Sequence, residues 1–287
     1  ERSMTDSEGS APLQRIGVLG AGAWGTALAH VAAAAGRNVT IWALEPELVG
    51  AINETPANPL YLQGVSLNPT IAATGSFEAL ADCDAILAAA PAQHLRGALR
   101  KLAPLLNPET PIVLCAKGIE QNSLALMSEV LAAEAPRKGA AVLSGPGFAG
   151  DVARGKPTAT TIACADAALG QRLVRTLGIA AFRPYLSDDL VGAQIGGAAK
   201  NVIALACGVA EGRALGEGAR AALITRGFAE MTRLGLAMGA KAETLNGLCG
   251  LGDLVLTCVS RTSRNFSFGA ELGEGKKAAD ILASRRS

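Results

Sequence analysis

Gly20-Ala21-Gly22-Ala23-Trp24-Gly25 joins a short apolar run, Arg15-Ile16-Gly17-Val18-Leu19, to a stretch of small residues from Thr26 to Ala35. The run has the length and composition of a buried strand. The small-residue stretch, closed by Gly36, reads as a helix. A second apolar run, Val39 to Trp42, follows, and Glu45 stands twenty positions after Gly25. A lone G-x-G-x-x-G is a weak signal, but strand, glycine turn, helix, strand and a late carboxylate form the setting in which it binds a dinucleotide. Gly20 permits the tight turn, Gly22 lets backbone approach a pyrophosphate, and Gly25 lets the helix pack closely on the strand. The phosphates then meet the free N–H groups of the helix N-terminus. The competing reading is an ordinary glycine-rich strand-to-helix turn.

Outward from this unit the alternation repeats. Apolar runs at Ala85–Ala90, Ile112–Cys115 and Ala141–Leu143 are separated by helical stretches, as in a parallel sheet covered on both faces. Each run ends in a loop suited to a ligand: Pro91-Ala92-Gln93, Ala116-Lys117-Gly118, and Ser144-Gly145-Pro146-Gly147-Phe148-Ala149. In an open α/β sheet ligands lie beyond the carboxyl ends of the strands, where these loops fall. Lys117 directly follows a strand end and offers a point cation there; a solvated loop lysine would look the same. Residues 158–185 read as two more strands around a helix from Asp166 to Leu177. From Val191 onward the periodicity is helical. The expected architecture is therefore a Rossmann-like α/β domain with a mostly parallel, doubly wound sheet over residues 15–187, followed by an all-α domain over 188–287. Residues 1–14 are expected to be disordered, with Glu1-Arg2-Ser3 ahead of Met4 resembling a tag remnant.

In the second domain, Gln194 to Ala210 is almost wholly Ala, Gly, Ile, Leu and Val, and its only other strongly polar side chains are Lys200 and Asn201. Such a segment reads as a helix buried on most of its circumference. An ammonium placed there must be paired or must lose its proton, unless it snorkels off the helix edge. A desolvated lysine is a candidate proton donor and acceptor. Asp253 follows the glycine-rich Gly247-Leu248-Cys249-Gly250-Leu251-Gly252, where it could simply cap the next helix. Ser260-Arg261-Thr262-Ser263-Arg264-Asn265 sets two guanidiniums among hydroxyls, which suits a phosphate monoester or a plain exposed loop.

Composition narrows the function classes. With 49% hydrophobic and 18% charged residues the 287-residue chain is an ordered, apolar globular protein. Its net charge of +1 and 3% aromatic content give no argument for nucleic acid. No uninterrupted apolar run reaches transmembrane length, and the N-terminus lacks the apolar core of a secretion signal, so a cytoplasmic protein without membrane insertion is expected. Six cysteines occur singly, without a Cys-x-x-Cys pair, and read as buried free thiols. His30 and His94 have no neighbours that would make a metal site or a triad, and no metal is expected.

Taken together, GAGAWGTA at the turn, Lys117-Gly118-Ile119, SGPGFA at 144–149, GAAKNVIA at 197–204, ITRG at 224–227, GLGDL at 250–254 and the run from Thr257 to Asn265 resemble the bacterial-type NAD(P)-dependent sn-glycerol-3-phosphate dehydrogenases. The pieces occur in the family's order from about residue 15 to the end. The resemblance implies reversible hydride transfer between nicotinamide and C2 of dihydroxyacetone phosphate or sn-glycerol 3-phosphate, in vivo chiefly toward glycerol 3-phosphate for phospholipid synthesis. It also implies a homodimer. By position Lys200 matches the proton donor and acceptor. Lys117, Gly145, Asp253, Ser263, Arg264 and Asn265 match substrate-site positions. Ala23, Trp24, Ala149 and Arg264 match cofactor contacts, beside Gly20, Gly22 and Gly25 of the turn, Leu44 and Glu45 beyond the second strand, Pro91 and the shared Lys117. Hydride reduction builds charge on the ketone oxygen, which an adjacent ammonium stabilises and protonates.

Three departures stand out: Gly147 replaces the usual Ser or Thr after Pro146, Gly218 stands where Asn is frequent, and the family continues through further helices, so 188–287 is expected to be a substrate domain truncated at its C-terminus. NAD is expected over NADP, though NADP remains possible, because Leu44 is apolar and Glu45 and Glu47 are its nearest charges. The alternatives are another two-domain reductase of the same superfamily, of β-hydroxyacid or ketopantoate type, and a non-catalytic nicotinamide-binding module.

Overall fold

The computed structural model describes residues 11–136 and 139–285. The expected disorder of residues 1–14 lies outside the described residues for 1–10. It does not extend over 11–14, where Leu13 is buried with its N–H donating to Thr176 Oγ1 (2.9 Å) and Arg172 Nε donates to Ala11 O (3.2 Å). The chain divides into two compact units between Leu190 and Val191.

The first unit is built on an eight-stranded sheet. Its strands are β1 (Arg15–Leu19), β2 (Asn38–Trp42), β5 (Ala72–Thr74), β6 (Ala85–Ala88), β7 (Ile112–Leu114), β8 (Ala140–Ser144), β9 (Thr158–Cys164) and β10 (Phe182–Ser187). They lie in the order β10-β9-β8-β7-β6-β1-β2-β5. All neighbours pair in parallel except β8 with β9. Strands β6 and β7 are buried at every position, because helices cover both faces and their Ala, Ile, Leu and Val side chains point into apolar layers on either side. The order of strands reverses between β1 and β6, so the loops leaving these two strands diverge and open a crevice at the sheet's carboxyl edge.

Helix α1 (Ala23–Ala34) begins three residues earlier than the sequence reading places it, inside the glycine turn itself. It stops where Gly36 adopts φ +80° and the Gly36 N–H returns to Ala33 O. Helix α2 (Pro46–Glu54) follows β2, and a small antiparallel hairpin of β3 (Ala57–Asn58) and β4 (Leu62–Ser66) follows α2. Helices α3 (Ala92–Leu102), α4 (Met127–Glu134), α5 (Ala149–Ala153) and α6 (Ala167–Leu177) complete the unit. Two N-termini show how the chain starts helices: Asp166 accepts from the N–H groups of Ala168 and Leu169, and Pro46 occupies the first turn of α2.

The second unit is helical: α7 (Leu190–Gly212), α8 (Gly216–Ala237), α9 (Ala242–Asn246), a π-turn at Leu248–Gly252, α10 (Asp253–Cys258), α11 (Arg264–Gly273) and α12 (Ala278–Ser284). Glycines set its central crossing. A Cβ on Gly208 would collide with Phe266 O and one on Gly212 with Ala270 O, while Cβ atoms on Gly269 and Gly273 would meet Leu205 O and Val209 O. Spaced four apart on both α7 and α11, the four glycines bring the two backbones into direct contact. By length and mean hydropathy (23 residues, 1.4) α7 is long and apolar enough to cross a membrane, although Gln194, Lys200 and Asn201 interrupt its apolar run. Half of its most apolar window is buried within the fold, as in the core helix of a globular unit.

Candidate active site

In the first unit the predicted residues gather at the carboxyl edge of the sheet. Gly20 has φ +111°, and a side chain there would meet Ala90 N at 2.9 Å. A Cβ on Gly25 would overlap Gly20 O, so both glycines are required by the protein itself. Gly22 differs: a Cβ there would meet nothing within 4 Å, so the chain leaves open space beside the turn at this position. Helix α1 starts at Ala23 with no side-chain cap and no acidic residue in its first turn. An N-terminus left in that state favours an anion.

Three further loops reach the same edge. Pro91 is the N-cap of α3, and a Cβ on Gly118 would meet Ala92 Cβ at 2.9 Å, which places the loops after β6 and β7 side by side. Lys117 Nζ donates to Gly145 O at 2.9 Å and stands 5.8 Å from the centroid of the Trp24 ring. That spacing is within cation–π range. Gly145 itself is hemmed in by Thr160, whose Cα a Cβ would meet at 2.8 Å. Gly147 faces Thr158, Val152 and the tip of Trp24, and a Ser side chain there would press Thr158 Cγ2 at 3.3 Å. Ala149 opens α5 just beyond. Trp24 Nε1 and Ser144 Oγ are buried with no hydrogen-bond partner among the described residues. Orphaned donors of this kind are rare away from functional sites.

Leu44 and Glu45 stand apart from this group at the end of β2. Leu44 is 75% exposed. The Glu45 carboxylate accepts the Tyr61 hydroxyl at 2.7 Å, and that bond holds the Tyr61 hydroxyl's pKa above its usual value. Arg37, a cation that could favour a phosphorylated ribose, is occupied elsewhere, donating to Thr176 O and Gln14 Oε1. His30 Nδ1 accepts the Asn68 N–H at 3.0 Å, and burial lowers its pKa, so it is a neutral packing residue.

In the second unit Lys200 is 7% exposed and donates to Asp253 Oδ1 at 2.5 Å and to Thr257 Oγ1 at 3.0 Å. Of the two ways to bury an ammonium, the structure uses pairing. Asp253 does not act as a helix cap: it is the first residue of α10, wholly buried, and its carboxylate turns to Lys200. Thr257 lies one turn further along α10 and passes its own proton to Asp253 O at 2.6 Å, so it presents a lone pair to Nζ. Next to Lys200, Asn201 Oδ1 accepts from Asn265 Nδ2 at 2.9 Å. Ser263 caps α11 through the Phe266 N–H, and Arg264 begins that helix with its side chain exposed. Behind Lys200 the buried thiols Cys207 and Cys258 share a hydrogen bond that pulls the first pKa down and pushes the second up.

The predicted residues thus fall into two groups: Gly20 to Gly25, Pro91, Lys117, Gly145 and Ala149 in one unit, and Lys200, Asp253, Ser263, Arg264 and Asn265 in the other. Sequence reasoning gave no role to Thr257, Asn201, Asn58 or Tyr61. The spacing of four between Asp253 and Thr257 on one helix was a usable signal for the first of these.

A family profile described as NAD-dependent glycerol-3-phosphate dehydrogenase N-terminus matches residues 15–170, and the corresponding C-terminus profile matches 189–287. The chain is 57% identical over 274 residues to a glycerol-3-phosphate dehydrogenase [NAD(P)+] of Parvibaculum lavamentivorans, covering 96% of this chain and 82% of that one. It is 59% identical over 273 residues to the Maricaulis maris protein of the same description, covering 95% and 82%. The crystal structure of glycerol-3-phosphate dehydrogenase from Coxiella burnetii superposes with a TM-score of 0.91 at 39% identity, covering 95% of this chain and 84% of that one. With the glycine turn, the paired buried lysine and these matches in hand, the chain belongs to the NAD-dependent glycerol-3-phosphate dehydrogenase family and is an NAD(P)-dependent oxidoreductase of glycerol 3-phosphate.

Proposed function

We infer that the first unit is the dinucleotide-binding domain, the second the substrate domain, and Lys200 the group that protonates and deprotonates the substrate oxygen. The observation that carries this reading is the Lys200 ammonium, buried and held between Asp253 and Thr257. Among otherwise apolar helix residues, such a group has a cost that a purely structural role would not justify.

The first unit fits a nicotinamide dinucleotide. Gly22 leaves room beside the backbone, the uncapped start of α1 favours a pyrophosphate, and Trp24 Nε1 is a buried donor with no partner among the described residues. Gly20, Gly22, Ala23, Trp24, Gly25, Pro91 and Ala149 would hold it, with Lys117 between cofactor and substrate and Arg264 serving both. When bound, the nicotinamide supplies or accepts the hydride at C2 of the substrate. The chain's own part is proton and charge management. The Lys200 ammonium hydrogen-bonds the C2 oxygen of dihydroxyacetone phosphate, steadies the charge that grows there, and delivers a proton to give the hydroxyl of sn-glycerol 3-phosphate. Asp253 favours the charged form of Lys200, and Thr257 fixes the direction of Nζ. In oxidation the same amine takes the proton back. Ser263, Arg264 and Asn265 would bind the phosphate.

The wider reading is an NAD-preferring cytoplasmic enzyme that supplies glycerol 3-phosphate for phospholipid synthesis. A homodimer belongs to the same reading and rests on the family resemblance. Lys200→Ala tests the central assignment. Turnover with dihydroxyacetone phosphate should fall by about 10²-fold or more, the scale of general acid–base catalysis with lost charge stabilisation, while NADH affinity stays within about two-fold. A variant that keeps a third of normal turnover would sink the assignment.

A further inference from the structure

The β3–β4 hairpin is wired to the glycine turn through buried polar groups. Asn58, 1% exposed, donates from Nδ2 to Ala21 O (2.9 Å) and Thr26 Oγ1 (2.8 Å), and its Oδ1 accepts the Tyr61 N–H (2.8 Å). Thr26 Oγ1 in turn donates to Ala21 O at 3.1 Å. Every hydrogen of the Asn58 amide is therefore committed to the turn, and its oxygen fixes the backbone at Tyr61. Three buried bonds and one half-buried bond among four residues make a stiff connection, because releasing a buried one would strand a polar atom away from water.

At the far end of this connection Tyr61 packs its ring against the apolar core of the sheet and gives its hydroxyl proton to Glu45 Oε1 at 2.7 Å. Glu45 needs such a partner. It precedes Pro46, which confines its backbone to extended values (φ −87°, ψ 117°), and its carboxylate caps no helix N–H. Tyr61 leaves Oε2 without a bond to any other described residue. Leu44 beside it is exposed and offers no cation, and Glu47 adds a second carboxylate in the first turn of α2.

We propose that Asn58 and Tyr61 are positioning residues for nucleotide discrimination: through them the phosphate-binding turn sets the orientation of Glu45, so that one oxygen is held by Tyr61 and the other accepts a ribose 2′-hydroxyl. This rests on the reading of Glu45 as the residue that meets the ribose. A 2′-phosphate would face the same fixed carboxylate, and two like charges held at short range cannot both be accommodated without loss of affinity. Released from Tyr61, the Glu45 side chain would rotate into solvent, where its bond to a hydroxyl and its repulsion of a phosphate both weaken.

The test uses Tyr61→Phe, which removes one hydroxyl and keeps the ring, with Glu45→Gln and the double variant alongside. Kd for NAD⁺ and NADP⁺ is read by titration calorimetry at one ionic strength, and KM and kcat for NADH and NADPH by steady-state assay. The preference for NAD⁺ should shrink about three- to ten-fold in Tyr61→Phe, through affinity with kcat unchanged. The double variant should lose no more than Glu45→Gln alone, since both changes act through one carboxylate. If Glu45→Gln narrows the preference and Tyr61→Phe leaves it within two-fold, the positioning role is wrong and the Glu45 reading survives. If Glu45→Gln also leaves the preference unchanged, the Glu45 reading itself is wrong and the proposal falls with it. A loss of affinity for both nucleotides alike in Tyr61→Phe would mark Tyr61 as structural and overturn the proposal too.

Discussion

Lys200 was legible because a charge in an apolar run is a local anomaly: Gln194 to Ala210 contains little else that is polar. What stabilises its burial was legible only in part. The resemblance places Asp253 in the same site, but Asp253 and Thr257 are 53 and 57 residues away, and their hydrogen bonds to Lys200 are set by the fold of the helices. The same holds for Asn58, whose partners Thr26 and Ala21 are 32 and 37 residues upstream. Arg264 belongs to this scale too. Its guanidinium is exposed at the start of α11, where a fork of donors can grip a phosphate in two places. Arg264→Ala should therefore raise KM for dihydroxyacetone phosphate by roughly 10- to 100-fold, since hydrogen bonds to a charged group contribute about 1.5–3 kcal/mol. Residual activity with unphosphorylated dihydroxyacetone should hardly change. Steady-state kinetics with both substrates checks this, and an equal loss on both would make the arginine structural or cofactor-facing.

Among the elements, those with one clear physical cause were read correctly. β1, β2, β6, β7 and β8 are apolar runs because both faces of a covered parallel sheet are dry, and each lies within one to two residues of its sequence-derived position. β3, β4 and β5 escaped, being two to five residues long and mixed in polarity, so that neither period nor length distinguishes them from loop. The reversal of β9 against β8 is a matter of pairing, which composition does not encode. The crossing of α7 and α11 gives this scale its prediction. Gly208→Ala improves helix propensity by about 1 kcal/mol, yet its new methyl group would collide with Phe266 O and lie 2.9 Å from Ala270 N. Backbone cannot step aside as a side chain can, so overpacking of roughly 1–3 kcal/mol or more outweighs the propensity gain. Gly97→Ala, in the middle of α3 where a Cβ meets nothing within 4 Å, should instead stabilise by about 0.5–1 kcal/mol. Urea denaturation of both variants followed by far-ultraviolet circular dichroism gives the two signs, and a stabilised Gly208→Ala would disprove the close crossing.

At the scale of the molecule, two units with different architectures share one chain, and their aromatic content differs as sharply as their folds. Both tryptophans and both tyrosines of the sequence lie before residue 190, and the helical unit has only phenylalanine. Trp24 sits in the glycine turn with Lys117 5.8 Å from its ring centre, and Trp42 stacks on Phe77 with centroids 4.6 Å apart. Light absorbed at 295 nm therefore excites only the sheet unit. Binding at the glycine turn should alter the emission of Trp24, and Trp24→Phe should abolish that part of the response while Trp42 continues to glow. Phosphate held by the helical unit alone should leave the spectrum unchanged. During unfolding, emission follows one half of the protein, while helical ellipticity includes the other. If the halves come apart at different denaturant concentrations, the two curves will separate, and their spacing measures how far each unit can stand without its neighbour.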